Sequence, residues 1–169
     1  AEATHLANEE QAAFIAKLVE RAVDGVAGKT IAFWGLAFKP ETDDVREAPS
    51  IKLAQVLLAK GATIVGHDPE AGPNFAKAMG DKVKVTDRDY DALEGAHALV
   101  LLTEWRSYRA PNFHEMRKRL KALPNGLPPA VIDARNIWRP GDLIKAGLRY
   151  QGVGVPSVPT PPPSSPIIG

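Results

Sequence analysis

No cysteine occurs anywhere in the chain. That absence excludes a disulfide framework, thiolate-ligated zinc or iron, and a cysteine nucleophile among these residues. An excess of one charge sign is lacking as well. The 21 basic and 20 acidic residues leave a formal charge of +1, so no global field draws nucleic acid or an anionic membrane toward the molecule. Any anion must be held by a local cluster. No apolar run approaches the roughly 20 residues needed to cross a bilayer, and the opening AEATHLANEEQ has neither the basic nor the apolar block of a secretory signal. The expectation is a cytoplasmic protein with no nucleic-acid or membrane partner. His5, His67, His97 and His114 show no metal-ligand spacing. No serine, histidine and acid arrangement for nucleophilic catalysis can be argued. The first residue is Ala1 rather than methionine, which suggests that an upstream portion has been cut away.

What is present is ordinary globular material: 169 residues, 44% of them apolar, enough for one hydrophobic core. NEEQAAFIAKLVERAV, Asn8 to Val23, spaces Phe14, Ile15, Leu18, Ala22 and Val23 as a helix does. Gly25 and Gly28 break it before IAFWGL, Ile31 to Leu36, a run apolar enough for a strand buried on both faces. The remainder alternates. Helices are predicted at Ser50 to Lys60, Ala71 to Met79, Phe113 to Leu120 and Asp142 to Ala146, with a helical turn at Tyr90 to Glu94. Strands are predicted at Thr63 to Gly66, Lys82 to Val85, His97 to Leu102, Ala130 to Asp133 and Leu148 to Val153. This is an α/β pattern: a doubly wound, mainly parallel six-stranded sheet preceded by an N-terminal helix. After Val155, six of the 15 prolines fall in VPSVPTPPPSSPIIG, where an extended or disordered tail is expected. A ligand for a proline-binding module is the alternative for that segment.

Open parallel sheets bind ligands beyond the carboxyl ends of their strands. Three such ends are polar here: GLAFKPETDDVREAPS (Gly35 to Ser50), TEWRSYR (Thr103 to Arg109) and DARNIWRP (Asp133 to Pro140). Gly35 lets a ligand or another backbone segment come close. Lys39 precedes a proline that biases it to an extended backbone. A dinucleotide fingerprint would read G-x-G-x-x-G in this first loop, yet Phe38 and Pro40 fill the space those glycines would leave open. Asp68 imitates the ribose-binding acid of such sites, but a turn or helix cap before Pro69 accounts for it more simply. Arg135 offers a two-pronged guanidinium, either for phosphate oxygens or as a structural partner of Asp133. With Lys39 it suggests two cations at neighbouring strand ends, a clamp for a pyrophosphate, with Phe38 adding an aromatic face. Trp34 and Trp105 are expected to pack against the sheet, and Trp138 is open to either role.

GLAFKPETDDVREAPS, TEW at Thr103 to Trp105, DARN at Asp133 to Asn136 and NEEQ at Asn8 to Gln11 together resemble the C-terminal domain of the UDP-glucose/GDP-mannose dehydrogenase family, nearest its UDP-glucose 6-dehydrogenase branch. The resemblance spans about Asn8 to Gly154. It implies a Rossmann-like nucleotide-sugar-binding domain over residues 28–155. Residues 1–27 would be the end of a central linking and dimerisation helix, and 156–169 a flexible tail. The family's enzymes use NAD, bound mainly by an N-terminal domain, to oxidise the C6 hydroxyl of UDP-glucose twice, giving UDP-glucuronate through a cysteine thiohemiacetal. On this resemblance Phe38 and Lys39 contact the UDP-sugar and Arg135 meets its nucleotide portion. Arg46 reaches toward NAD, and Glu47 orders that loop. No catalytic residue falls within the chain, which is expected to be inactive alone and part of a homodimer when joined to its N-terminal and central domains. DARN has Ala134 where many relatives have glycine, and Trp34 precedes the strand-end glycine, which leaves the sugar open. The alternatives are a GDP-mannose or UDP-N-acetyl-sugar dehydrogenase domain, and a free-standing nucleotide-binding or protein-interaction module.

Overall fold

The apolar runs pair into one six-stranded sheet in which every strand is parallel to its neighbours. The computed structural model of the chain describes residues 2–154, with side chains from Glu9 onward, so the proline-rich segment after Gly154 lies outside the described residues. The strands are β1 (Thr30–Trp34), β2 (Thr63–His67), β3 (Val83–Val85), β4 (Ala98–Leu101), β5 (Ala130–Asp133) and β6 (Arg149–Gly152). The helices are α1 (Glu2–Ala22), α2 (Pro49–Ala59), α3 (Gly72–Met79), α4 (Phe113–Arg119) and α5 (Pro140–Lys145). Strand order is β3-β2-β1-β4-β5-β6, so the direction of winding reverses between β1 and β4. The doubly wound, Rossmann-like expectation is therefore what is observed, and because parallel crossovers are right-handed the reversal puts the connections of the β1–β3 half and of the β4–β6 half on opposite faces.

The central strands owe their place to composition. β4 and β5 are buried at every position and β1 at all but its first, as runs such as AFW and ALVL require when both faces are covered. One face is covered by α1 and α2, with α1 burying Ala12, Ile15, Ala16, Val19 and Val23 at helical spacing. That stripe is satisfied inside the chain, by α2, β4 and β5, so it covers its own sheet. Phe14, 47% exposed, lies off the stripe. The helix begins at Glu2, earlier than the apolar periodicity predicted.

On the other side of β1 lies an aromatic cluster. Trp34 stacks on Tyr108 with ring centroids 4.8 Å apart and meets Tyr90 edge-on at 5.5 Å and Trp138 at 6.0 Å. Tyr108 ends a 3-10 turn, Arg106–Tyr108, whose three residues are too few to carry a periodic signal in the sequence.

Register aligns the strand ends. His67, Trp34, Leu101 and Asp133 stand in one row across β2, β1, β4 and β5. The three polar segments thus leave the sheet side by side at the point of reversal. At Gly35 two of them touch: the residue has φ +91°, and a Cβ there would lie 2.5 Å from the Cβ and the backbone nitrogen of Thr103. The close approach anticipated at this glycine is made by the β4 segment. Gly35→Ala should accordingly cost at least about 2 kcal/mol, from both the φ and the clash. Chemical denaturation measures this, and a variant as stable as the parent would contradict the contact.

Candidate functional site

The strand-end surface is organised by the carboxylate of Asp68, which follows β2 and is almost fully buried. Its Oδ2 accepts the backbone N–H groups of Leu36 (2.7 Å) and Ala37 (3.0 Å) and the indole N–H of Trp105 (3.0 Å). Its Oδ1 accepts the N–H groups of Glu70 (2.8 Å) and Ala71 (2.7 Å) at the start of α3. Of the turn or helix cap expected of this residue, the turn is present, just before α3, and the same carboxylate also ties the β1 and β4 loops together. The position from which an acid would reach a ribose in an ordinary dinucleotide site is therefore consumed internally. A neighbouring pair of contacts completes the frame: Thr103 Oγ1 donates to Ala37 O at 2.6 Å and Ser50 Oγ to Leu36 O at 2.7 Å.

Beyond this frame the first loop turns outward. Phe38 is 42% exposed, and the Lys39 ammonium sits 5.3 Å from the centroid of its ring, a cation–π distance. Arg46 folds back on Asp44. Its backbone N–H, Nε and Nη2 reach that carboxylate at 2.9, 3.0 and 2.9 Å, which holds the Asp44 carboxyl below its usual range and raises the guanidinium. The Arg46 side chain is otherwise 87% exposed, beside a cleft of about 380 Å³ that Glu9, Glu47 and Lys52 also line. Glu41 and Glu47 adopt left-handed φ values of 66° and 62°, so the loop is bent twice without glycine.

At the end of β5, Asp133 is fully buried and accepts the backbone N–H groups of Arg135 (3.1 Å) and Trp138 (2.9 Å) and the Tyr150 hydroxyl (3.0 Å). Burial, then the carboxylate, raises the Tyr150 phenol. Asn136, at φ 56°, exchanges two hydrogen bonds with the backbone of Val153. The Arg135 guanidinium is thus not the partner of Asp133. Its Nε donates to Glu104 Oε2, just after β4. Trp138 is structural, its indole N–H donating to Tyr108 O at 2.8 Å.

Lys39 and Arg135 both stand beyond strand ends. The expectation that those ends are neighbours is corrected by the sheet order, in which β4 lies between β1 and β5. At the usual strand spacing the two segments leave the sheet about 10 Å apart, on either side of β4. Among the described residues no group of three or more His, Asp or Glu gathers to hold a metal, and no helix is long and apolar enough to cross a membrane.

This geometry has known counterparts. Residues 32–140 match the model of the UDP-glucose/GDP-mannose dehydrogenase family, UDP binding domain. The chain belongs to that family. It is 42% identical over 134 residues to UDP-glucose 6-dehydrogenase of Pseudomonas aeruginosa, an alignment covering 76% of this chain and 28% of the relative. It is 36% identical to the Rhizobium meliloti UDP-glucose 6-dehydrogenase, covering 83% of this chain and 30% of that protein. Among solved structures, a UDP-glucose dehydrogenase from Pyrobaculum islandicum superposes with a TM-score of 0.68 at 26% identity, over 85% of this chain and 29% of that one. A UDP-D-ManNAc dehydrogenase from Pyrococcus horikoshii gives a TM-score of 0.65 at 25% identity, over 85% and 30%. The chain spans less than a third of the length of each of these relatives.

The Asp68 carboxylate and the row of strand ends thus hold the GLAFKP, TEW and DARN segments side by side. His67 belongs to the same frame, its Nδ1 lying 2.6 Å from the Tyr108 hydroxyl, which also donates to His67 O. Burial lowers the His67 pKa against the opposing pull of Asp89 and Asp68, and burial also raises the Tyr108 phenol. His97 is lowered too, by burial and then by Lys121 and Lys29. The unfolded chain takes up these protons near the ordinary value of 6.5, while the folded chain resists them to lower pH. Stability is therefore full above that value and falls as the pH drops through it. Denaturation on either side of it should show the loss, and a flat profile would contradict it.

The Asp68 frame makes a sharper prediction. Five donors surround the carboxylate, so the isosteric Asp68→Asn places an NH₂ against N–H groups. It should destabilise by about 2–3 kcal/mol and speed amide exchange at Leu36 and Ala37. A change within about 0.5 kcal/mol would show that the frame does not depend on this carboxylate.

Proposed function

We propose that this chain supplies the nucleotide-sugar half of an NAD-dependent dehydrogenase that oxidises UDP-glucose at C6 in two steps to UDP-glucuronate. Residues 28–155 form the binding domain in this reading, and residues 1–27 end the helix that links it to the rest of a homodimeric enzyme. The observation that carries the reading is the pair of cations, Lys39 and Arg135, set beyond β1 and β5 on either side of β4, where a doubly wound sheet takes its ligand. Phe38 and Lys39 would meet the UDP-sugar and Arg135 its nucleotide portion, with Lys39 and Arg135 together neutralising the pyrophosphate.

NAD does not fit this chain's strand ends in the usual pose. Phe38 and Pro40 occupy the phosphate loop, and Asp68 has its oxygens committed to five protein donors. We assign the cofactor mainly to the portion of the enzyme outside this chain, with Arg46 reaching toward it once freed from Asp44. The hydride acceptor and the cysteine nucleophile fall to that portion too. The TDDVREAPS and TEW segments favour UDP-glucose. The comparable likeness to a UDP-D-ManNAc dehydrogenase structure makes an N-acetylated sugar the second reading.

The test is substitution in the intact enzyme. Lys39→Ala and Arg135→Ala should each weaken UDP-sugar binding by roughly 1.5–3 kcal/mol, the range for a charge-assisted contact, while Lys121→Ala, on an exposed segment, leaves it unchanged. Arg46→Ala should act on NAD instead. Equal effects at positions 39, 121 and 135 would sink the assignment.

A further inference from the structure

Glu104 is the middle residue of the TEW segment, and no role is given to it by the reading above. Its carboxylate takes the Nε–H of Arg135 through Oε2 alone, and among the described residues no protein group takes the guanidinium's terminal N–H groups. A guanidinium carries five N–H donors in a rigid planar fork. Engaging Nε fixes the plane of that fork and leaves the outer edge available to an anion. Had Glu104 chelated the terminal nitrogens, it would compete with such an anion.

Both partners stand on immobilised backbone. Leu101 and Asp133 are paired across β4 and β5, so Glu104 and Arg135 lie three and two residues past the same rung. Thr103 and Trp105, on either side of Glu104, are buried and tied to Ala37 O and Asp68. On the other side, the Arg135 N–H is held by Asp133 and the next residue, Asn136, is pinned to Val153. The two side chains thus meet between two held backbone segments. The Arg135 side chain is 41% exposed, whereas that of Glu104 is 19% exposed, so the carboxylate is the more fixed of the pair.

We infer that Glu104 is a positioning residue that sets the guanidinium of Arg135 for a nucleotide diphosphate. The inference rests on the nucleotide-sugar reading of this site. Pre-setting a long cationic side chain removes part of the ordering cost of binding, so its loss appears as affinity.

The experiment is a double-substitution cycle on this chain, titrated with millimolar UDP and followed by NMR. The Arg135 Nε–H signal is read without ligand. Glu104→Ala should raise the UDP dissociation constant about tenfold, and Glu104→Gln, which keeps a neutral acceptor, by less. In an Arg135→Ala background Glu104→Ala should change affinity by less than about twofold, because the two residues act as one unit. The ligand-free Arg135 Nε–H signal should be protected in the parent chain and lost in Glu104→Ala. UDP binding that weakens in Arg135→Ala but is unchanged or tighter in Glu104→Ala overturns the positioning role and leaves the nucleotide site standing. Equal losses with and without Arg135 overturn it as well. A folded parent chain with no saturable UDP response overturns the site reading, and the positioning role with it.

Discussion

The structure depends on one buried carboxylate. Asp68 gathers N–H groups from the β1 loop, the TEW segment and the start of α3, three stretches that meet only because β2, β1 and β4 are adjacent in the sheet. A buried acid is costly unless its oxygens are filled, and a buried loop at the ends of the strands has N–H groups to satisfy. Each requirement meets the other here. The result is a stiff platform at the strand ends, made without the glycine-rich turn that elsewhere cradles a pyrophosphate.

That platform separates what is rigid from what can reach a ligand. Leu36 and Ala37 are held by Asp68, with their carbonyls accepting from Ser50 and Thr103, while Phe38 and Lys39 project past them. At β5 the same division recurs, with Asp133 buried under backbone and phenol donors and the Arg135 side chain extending beyond it to Glu104. Beneath both, Trp34, Tyr108 and Trp138 fill the space between sheet and loops and fix the spacing of the strand ends. A chain with a net charge of only +1 thereby presents cations locally, which is how it could favour an anionic ligand without a general basic surface.

Much of the fold was legible in the sequence because its signals are local. Continuous apolar runs such as AFW and ALVL mark strands covered on both faces, and Gly61 and Gly80 close helices at positive φ. The start of α1 was not legible because its apolar spacing begins only at Phe14, whereas the helix runs back to Glu2. The position of Lys39 and Arg135 beyond strand ends followed from the same runs, but their separation did not, since strand order is a tertiary property. Nor were the pairings legible. Glu104 meets Arg135 across 31 residues and His67 meets Tyr108 across 41, distances at which a single sequence carries no pairing signal. The hint available for Glu104 was an acid just past one apolar strand and a base just past the next.

In the reading proposed above, these strand ends take a nucleotide sugar and exclude a dinucleotide. Parallel amide-resolved NMR titrations of the chain with UDP-glucose and with NAD test it most directly. Saturable shifts are expected with UDP-glucose at Phe38, Lys39, Glu104 and Arg135, and none with NAD at Leu36, Ala37 or Asp68. Saturable NAD shifts at Leu36, Ala37 and Asp68, with no response to UDP-glucose, would contradict it.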